Sequence, residues 1–272
     1  TGTLTAAAFT PDSSRHISVP AGPAGLAVSA NGQRLYVYSR IAHSVSVVDT
    51  SSKSTLRSVP LFSPESSAVK TGRRFLYDAT ESSANGSSSC GSCHIFGDMD
   101  HLSWDLGNPD DARKANPNAY VVGVPQTTFQ FHPMKGPMST QTLRGMRGNG
   151  PLHWRGDRTG TTRQTVRGAL ETLEEASFKE FNPAFVGLVG REAVLPDADL
   201  QSFTDFAMAL ATPPNPVRAL DNTLNATETA GRNIYMNVNN ITLLGSCNTC
   251  HALNPAQGKF GTAGLMSFEG GR

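Results

Sequence analysis

The sequence predicts a mainly α chain with long ordered loops, arranged as two helix-led modules behind a short antiparallel β segment. Three observations carry this reading. The pentapeptide Cys-x-x-Cys-His occurs twice, as CGSCH over residues 90–94 and CNTCH over residues 247–251, and takes all four cysteines of the chain. Each copy follows a stretch with apolar residues at helical spacing, Ser66–Ala79 and Thr227–Asn237. Ahead of both, apolar and polar side chains alternate with the two-residue period of strands. The 26 glycines and 17 prolines, with only 17% charged residues, place many turns around short helices. At 272 residues the chain can hold one large or two modest domains. A net charge of +1 gives no global attraction to nucleic acid or to an anionic membrane. No apolar run approaches the roughly 20 residues of a transmembrane helix. The opening TGTLTAAAFTPDSS carries no charged-then-apolar leader and reads as a mature or cut end.

In chain order, the β segment comes first. Alternation runs through Arg34–Tyr38 and again through Ser44–Val48, and Asn31-Gly32 is a hairpin signal between the first two runs. The stretch PAGLAVSANGQRLYVYSRIAHSVSVVDT resembles one blade of the YVTN-type β-propeller family. A single blade does not bury its own faces. His43 falls in a loop of this blade-like stretch.

The cysteine pairs admit three readings. Two disulfides would staple a secreted domain but leave the repeated histidine without a role. A four-thiolate zinc site has suitable local pairs, yet 153 residues separate them, far more than in a compact zinc ribbon. Attachment of c-type haem uses the whole pattern: two thiols add to the haem vinyl groups and the adjacent imidazole ligates the iron. On a helical turn, positions i, i+3 and i+4 share a face, so Cys90, Cys93 and His94 can hold one porphyrin, as can Cys247, Cys250 and His251. With 7 histidines in 272 residues, chance would place one after both pairs with a probability of roughly 0.0007. The approaches to the two motifs also match: TGRRFLY and AGRNIY each carry Gly-Arg, an apolar residue and then Tyr, 13 and 12 residues before the first cysteine. That is a weak internal repeat of two cytochrome c-like modules.

Between the motifs, FHPMKGPMSTQTLRGMRGNGPLHWRGDRTG over residues 131–160 is rich in Gly, Pro and Arg and is expected to form a long ordered loop. Here the chain, from about residue 65 onward, resembles the bacterial di-haem cytochrome c peroxidase superfamily, which includes the methylamine-utilisation di-haem enzymes. The resemblance rests on the two Cys-x-x-Cys-His motifs, on HPMKGP, on HWRGDR, and on the DADLQSFTDFAMALATPPNPVRALDNTLNATETAGRNIY stretch. It implies two cytochrome c-like haem domains, residues 63–212 and 213–272, the second incomplete, behind a blade-like segment at 1–62. It places His132 as the distal ligand of the first iron, with Met134, Met138 and His153 as other candidates, and Trp154 as the aromatic residue between the haems. His94 and His251 become the proximal ligands, and Met266 the candidate distal ligand of the second iron. Arg155 and Arg158, within a run that includes Arg144, Arg147, Arg163 and Arg167, become partners for haem propionates; the same run reads equally as a solvated basic face or as a docking surface for an acidic partner. Two covalent haem c groups are the implied cofactors, and the resemblance admits a calcium ion.

The chain also departs from that family. The peroxidases carry a catalytic Gln and Glu after the Trp-Gly-Arg segment, where this sequence reads ETLEEASFKEF. Glu171, Glu174 and Glu175 fit the outward face of a helix there. His101 is expected in a surface loop or against a propionate, and Trp104 in core packing. Three functions follow. The chain transfers electrons between its haems and a small redox protein, a mono-haem cytochrome c or a cupredoxin; it reduces hydrogen peroxide, with His132 and Trp154 in the catalytic roles; or it binds a surface ligand above structural haems. Export before haem attachment, as in bacterial c-type cytochromes, implies a periplasmic or cell-surface location. Only 21 residues follow His251, so the chain is expected to be a piece of a longer protein.

Overall fold

The alternation at the N-terminal end becomes a four-stranded antiparallel meander in the computed structural model: β1 (Pro23–Val28), β2 (Arg34–Ser39), β3 (Ser44–Asp49) and β4 (Ser54–Pro60), paired in that order. The structure describes residues 16–107, 110–115, 130–131, 137–149, 151–154, 158–217, 219–221, 223–238, 245–250, 253–254 and 259–260. The register pairs Val37 with Ser46 and Tyr36 with Val47, so odd positions of β2 share one face with even positions of β3. Val37, Ser39, Ser44, Ser46 and Val48 on that face are buried, whereas Tyr36 and Tyr38 on the other are exposed. Between β1 and β2, Gly32 has φ 71° and donates its N–H to the Ser29 carbonyl at 2.8 Å, as the Asn-Gly signal requires. Asp49 anchors the next turn: its carboxylate accepts from the hydroxyl groups and backbone N–H groups of Ser51 and Ser52 and pairs with Arg34.

The chain divides into two compact units, residues 1–70 and 71–272. Helix α1 (Ser67–Tyr77) leads into the second, followed by the one-turn α2 (Ala79–Ser82). Two-residue ladders come next, β5 (Ser103–Trp104) with β8 (Met138–Ser139) and β6 (Lys114–Ala115) with β7 (Gln130–Phe131), and then β9 (Thr165–Val166) with β10 (Ala169–Leu170). Helices α3 (Leu173–Lys179), α4 (Ala184–Gly187), α5 (Asp197–Ala209), α6 (Ala226–Asn237) and α7 (Cys247–Cys250) complete the second unit with the β11 (Leu253–Asn254) and β12 (Lys259–Phe260) pair.

Its core is aromatic. Phe203 of α5 meets Phe178 of α3 with centroids 5.0 Å apart, Phe185 of α4 at 6.0 Å and Phe75 of α1 at 6.1 Å, the first two edge-on. Leu76, Leu195, Leu200, Phe206 and Ala207 fill the remaining space. Helix α1 reaches this cluster because Gly72 has no side chain: a Cβ there would stand 1.9 Å from the Ser202 carbonyl oxygen of α5. Arg74 lies over the Phe75 ring at 4.6 Å and bonds Asp199 of α5 at 3.1 Å, which fixes the same approach from the polar side.

The fold class therefore differs from the expectation of a mainly α chain built of two cytochrome c-like domains. Among the described residues a four-stranded antiparallel sheet and several two-residue ladders stand beside helices of at most 13 residues. The physical reason is that the alternating segments at residues 23–60 pair as strands, and the helical periodicity that frames the cysteine motifs is confined to short segments between long connections. Both Cys-x-x-Cys segments sit on single turns, one 3-10 (Cys90–Ser92) and one α-helical (Cys247–Cys250), rather than within helical haem domains. The helices expected at Ser66–Ala79 and Thr227–Asn237 are present as α1 and α6, and from residue 137 to 160 the described residues form loop and ladder without helix.

Candidate functional site

The first Cys-x-x-Cys-His segment is a tight turn held at both ends. Ser89 caps it: its N–H donates to the Ser92 hydroxyl at 3.0 Å and its side chain accepts from the Ser92 N–H. The backbone N–H of His94 donates to the Cys90 carbonyl at 2.9 Å, closing an α-type turn that puts Cys90, Cys93 and His94 on one side. Tyr77, the last residue of α1, packs against the turn from below. A Cβ on Gly91 would lie 2.8 Å from both the Tyr77 ring and the Leu76 carbonyl, so only glycine allows this approach.

A distant segment then orients the histidine. His94 Nδ1 stands 2.8 Å from the backbone carbonyl of Gln141. A carbonyl only accepts, so Nδ1 carries the proton and Nε2 keeps its lone pair. Burial holds the His94 pKa below the ordinary histidine value, which keeps the ring neutral at neutral pH. Burial pushes the Cys90 thiol up to about 11, and burial together with the charge of Asp100 raises Cys93. Cys90, Cys93 and Cys247 form no disulfide. A zinc site would use the thiolates, whereas haem attachment uses each S–H by addition across a vinyl group. Among the described residues no group of three or more His, Cys, Asp or Glu side chains is placed to hold a metal ion. Two thiols and one neutral imidazole on a single turn are the set that c-type haem requires, so the residues fit that group. Ile95 and Phe96 follow His94 with 43% and 63% of their surface exposed, apolar area of the kind a porphyrin edge covers.

Residues 138–145 form a brace along the whole turn. Thr140 N–H donates to the Leu102 carbonyl at 3.1 Å and Leu143 N–H to the Gly97 carbonyl at 3.0 Å. The hydroxyls of Thr140 and Thr142 donate to Asp100 and Asp98. Arg144 pairs with Asp98 at 3.0 Å and donates to the Phe96 carbonyl at 3.2 Å. Phe96, at φ 55°, is held in the left-handed region inside this frame. Sequence reasoning missed Asp98, Asp100, Thr140, Gln141 and Thr142. Their signal is the matched alternation Asp-x-Asp and Thr-x-Thr, which has no meaning until the two short segments are brought together.

Both tryptophans belong to this frame. Trp154 donates its indole N–H to the Ser139 carbonyl at 2.6 Å, two residues from Gln141. Trp104 is not core packing: it is 40% exposed and donates its indole N–H to Asp100 at 2.8 Å. Met138 sits opposite Trp104 in the β5–β8 ladder, His153 lies edge-on to Phe181 at 5.8 Å, and His101 is exposed at φ 60°. Arg158 lies over the Phe181 ring at 5.3 Å, Arg167 pairs with Asp205 at 2.7 Å, and Arg147 and Arg163 are exposed. Glu171 is not on an outward helix face. It precedes α3, is buried, and pairs with Lys179, while Glu175 closes a capping box with Thr172.

At the second motif, Cys247 opens the one-turn α7 and Tyr235 of α6 lies close by; burial raises the Tyr235 pKa, and the charge of Cys247 raises it further. The last tyrosine of the entry helix thus stands beside the cysteine turn in both copies, Tyr77 at the first and Tyr235 at the second. The side chain of Cys250, together with His132, Met134, Arg155, His251 and Met266, lies outside the described residues.

No family model matches the chain, and no curated protein sequence matches it. Among solved structures, a chain of Kuenenia stuttgartiensis hydrazine synthase, pressurised with 20 bar xenon, is similar at 23% identity and a TM-score of 0.45. The match covers 74% of this chain and 54% of that one, so this chain spans about half the length of the structure it matches. Among the described residues no helix is long and apolar enough to cross a membrane.

Proposed function

We propose that this chain is a di-haem c-type electron-transfer protein of the periplasm or cell surface, exchanging electrons with a small redox protein such as a mono-haem cytochrome c or a cupredoxin. The observation that carries the reading is the first turn: two thiols and an imidazole on one Cys-x-x-Cys-His turn, with His94 Nδ1 committed to the Gln141 carbonyl. The haem, when bound, supplies one-electron exchange at its iron. The residues of the chain do the rest. Cys90 and Cys93 would hold the haem through thioethers, each made by adding S–H across a vinyl C=C, and His94 would present Nε2 to its iron. The Gln141 carbonyl fixes the tautomer and keeps the ring from turning. Cys247, Cys250 and His251 repeat the set. We assign the first site to residues 63–212 and the second to 213–272. The four-stranded meander at the N-terminal end supports the blade-like reading of residues 1–62.

Hydrogen peroxide reduction is the second reading. It is favoured by Trp154, whose indole is fixed to β8 beside the brace, where the di-haem peroxidases that this chain resembles place an aromatic residue. The carboxylates favour relay instead, because Glu171 is committed to a buried pair and Glu175 to a helix cap.

The deciding experiment is expression in a host that matures c-type haem. The polypeptide mass is expected to rise by two haems that survive acid-acetone extraction. Cys90→Ala with Cys93→Ala, and Cys247→Ala with Cys250→Ala, are each expected to remove one. Recovery of haem-free protein carrying zinc would end the reading. Peroxide consumption by the reduced, loaded protein separates the two functions.

A further inference from the structure

We infer that Asp100 is a positioning residue of the first site and that its fixed negative charge sets the reduction potential of the haem held by Cys90, Cys93 and His94. The inference rests on the function proposed above and concerns a residue outside the attachment motif.

Three donors converge on this one half-buried carboxylate: the Leu102 N–H at 2.9 Å, the Trp104 indole N–H at 2.8 Å and the Thr140 hydroxyl. Charge-assisted bonds of this kind keep a carboxylate ionised and in place. Thr140 also donates its backbone N–H to the Leu102 carbonyl at 3.1 Å, which closes a ring around Asp100. The next residue, Gln141, is the one whose carbonyl holds His94. The anion is thus fixed to the segment that orients His94. Among the described residues no cation forms an ion pair with Asp100; the nearby Arg144 is paired with Asp98 at 3.0 Å. A fixed negative charge beside an iron centre favours the more positive oxidation state, and so lowers the potential.

The test is a spectroelectrochemical titration of haem-loaded wild type, Asp100→Asn and Thr140→Val. Asp100→Asn keeps the shape and removes the charge, so one of the two midpoints is expected to rise while the other stays. Thr140→Val keeps the charge and removes a donor that moderates it, so the same midpoint is expected to fall or to stay. A residue that served only to hold the turn would move that midpoint in the same direction in both variants. Should Asp100→Asn not fold, Asp100→Glu takes its place: it preserves the charge, and a raised midpoint in it or in Thr140→Val overturns the inference. Two haems with both midpoints unmoved in Asp100→Asn overturn the inference alone. Wild type without covalent haem overturns the function proposed above, and the inference with it.

Discussion

Replacing Lys179 by Met tests whether the carboxylate closest to the expected catalytic position is structural. Glu171 has 3% of its side chain exposed and Lys179 18%, so their ion pair is largely out of water. Lys179 also donates to Gln201 of α5, and Glu171 accepts the Gln164 N–H at 2.9 Å, so the pair ties α3 and the strand before it to α5. Removing the cation leaves a buried carboxylate with one backbone donor. Breaking such a pair costs about 3–5 kcal/mol, and the partial exposure of Lys179 places this one at the low end, about 3 kcal/mol. For a unit of the size of residues 71–272, that lowers the melting temperature by about 6–12 °C. Lys179→Met with Glu171→Leu removes both charges and is expected to recover most of the loss, because the desolvation cost disappears with the pair. Urea unfolding monitored by circular dichroism measures all three proteins. A Lys179→Met midpoint equal to wild type, or a double variant no more stable than the single one, would refute the reasoning.

Gly72→Ala gains helix propensity in α1 but drives a methyl group into the Ser202 carbonyl and the Phe206 side chain, so it is expected to lose about 1–3 kcal/mol in urea unfolding; an unchanged or higher midpoint contradicts the close packing of α1 on α5. Hydrogen bonds from Ser51 and Ser52 hold the Asp49 carboxyl well below the usual carboxylate range. Its folded pKa is thus depressed, and the stability it contributes is present above the unfolded value of about 4 and lost as pH falls below it. Thermal scans from pH 7 to pH 2 are expected to show this loss in the N-terminal unit, and Asp49→Asn is expected to flatten it.

The pattern that sequence makes legible here is local. Cys90, Cys93 and His94 stand at i, i+3 and i+4 on one turn, and the tyrosines late in α1 and α6 repeat at nearly fixed spacing, so their geometry follows from backbone periodicity. The strands at Arg34–Ser39 and Ser44–Asp49 are equally local, because alternation and an Asn-Gly turn specify a hairpin. What does not show is any choice made by distant partners. Trp104 reads as core because most tryptophans are buried, yet Asp100 draws its indole to the surface. Glu171 fits a helical face by periodicity, but the helix begins at Leu173, where Thr172 and Glu175 spell a capping box that moves the boundary past it. The mainly α expectation weighs the two Cys-x-x-Cys-His motifs too heavily: such a turn needs only five residues and places no demand on what surrounds it.

The two Cys-x-x-Cys turns are built on unequal foundations, which predicts the order in which they open. Helix α1 places Phe75 and Leu76, both almost fully buried, in the aromatic core, and the brace at residues 138–145 crosses the turn that follows. Helix α6 has a good N-terminal cap in Asn225 and Glu228 but no buried residue, and Ile234 is 52% exposed. Local opening costs what local burial supplies. At about 1.5–3 kcal/mol for each buried large side chain, Phe75 and Leu76 together make the opening of α1 about 3–6 kcal/mol more costly than that of α6. Each 1.4 kcal/mol is a factor of about ten in protection, so amide exchange measured on the haem-free protein should be at least about a hundredfold slower at Leu76 and Tyr77 than at Ile234 and Tyr235. Equal protection of the two helix ends would mean that something other than this core holds the second turn in place, and that the capped but unburied α6 is not the weaker foundation.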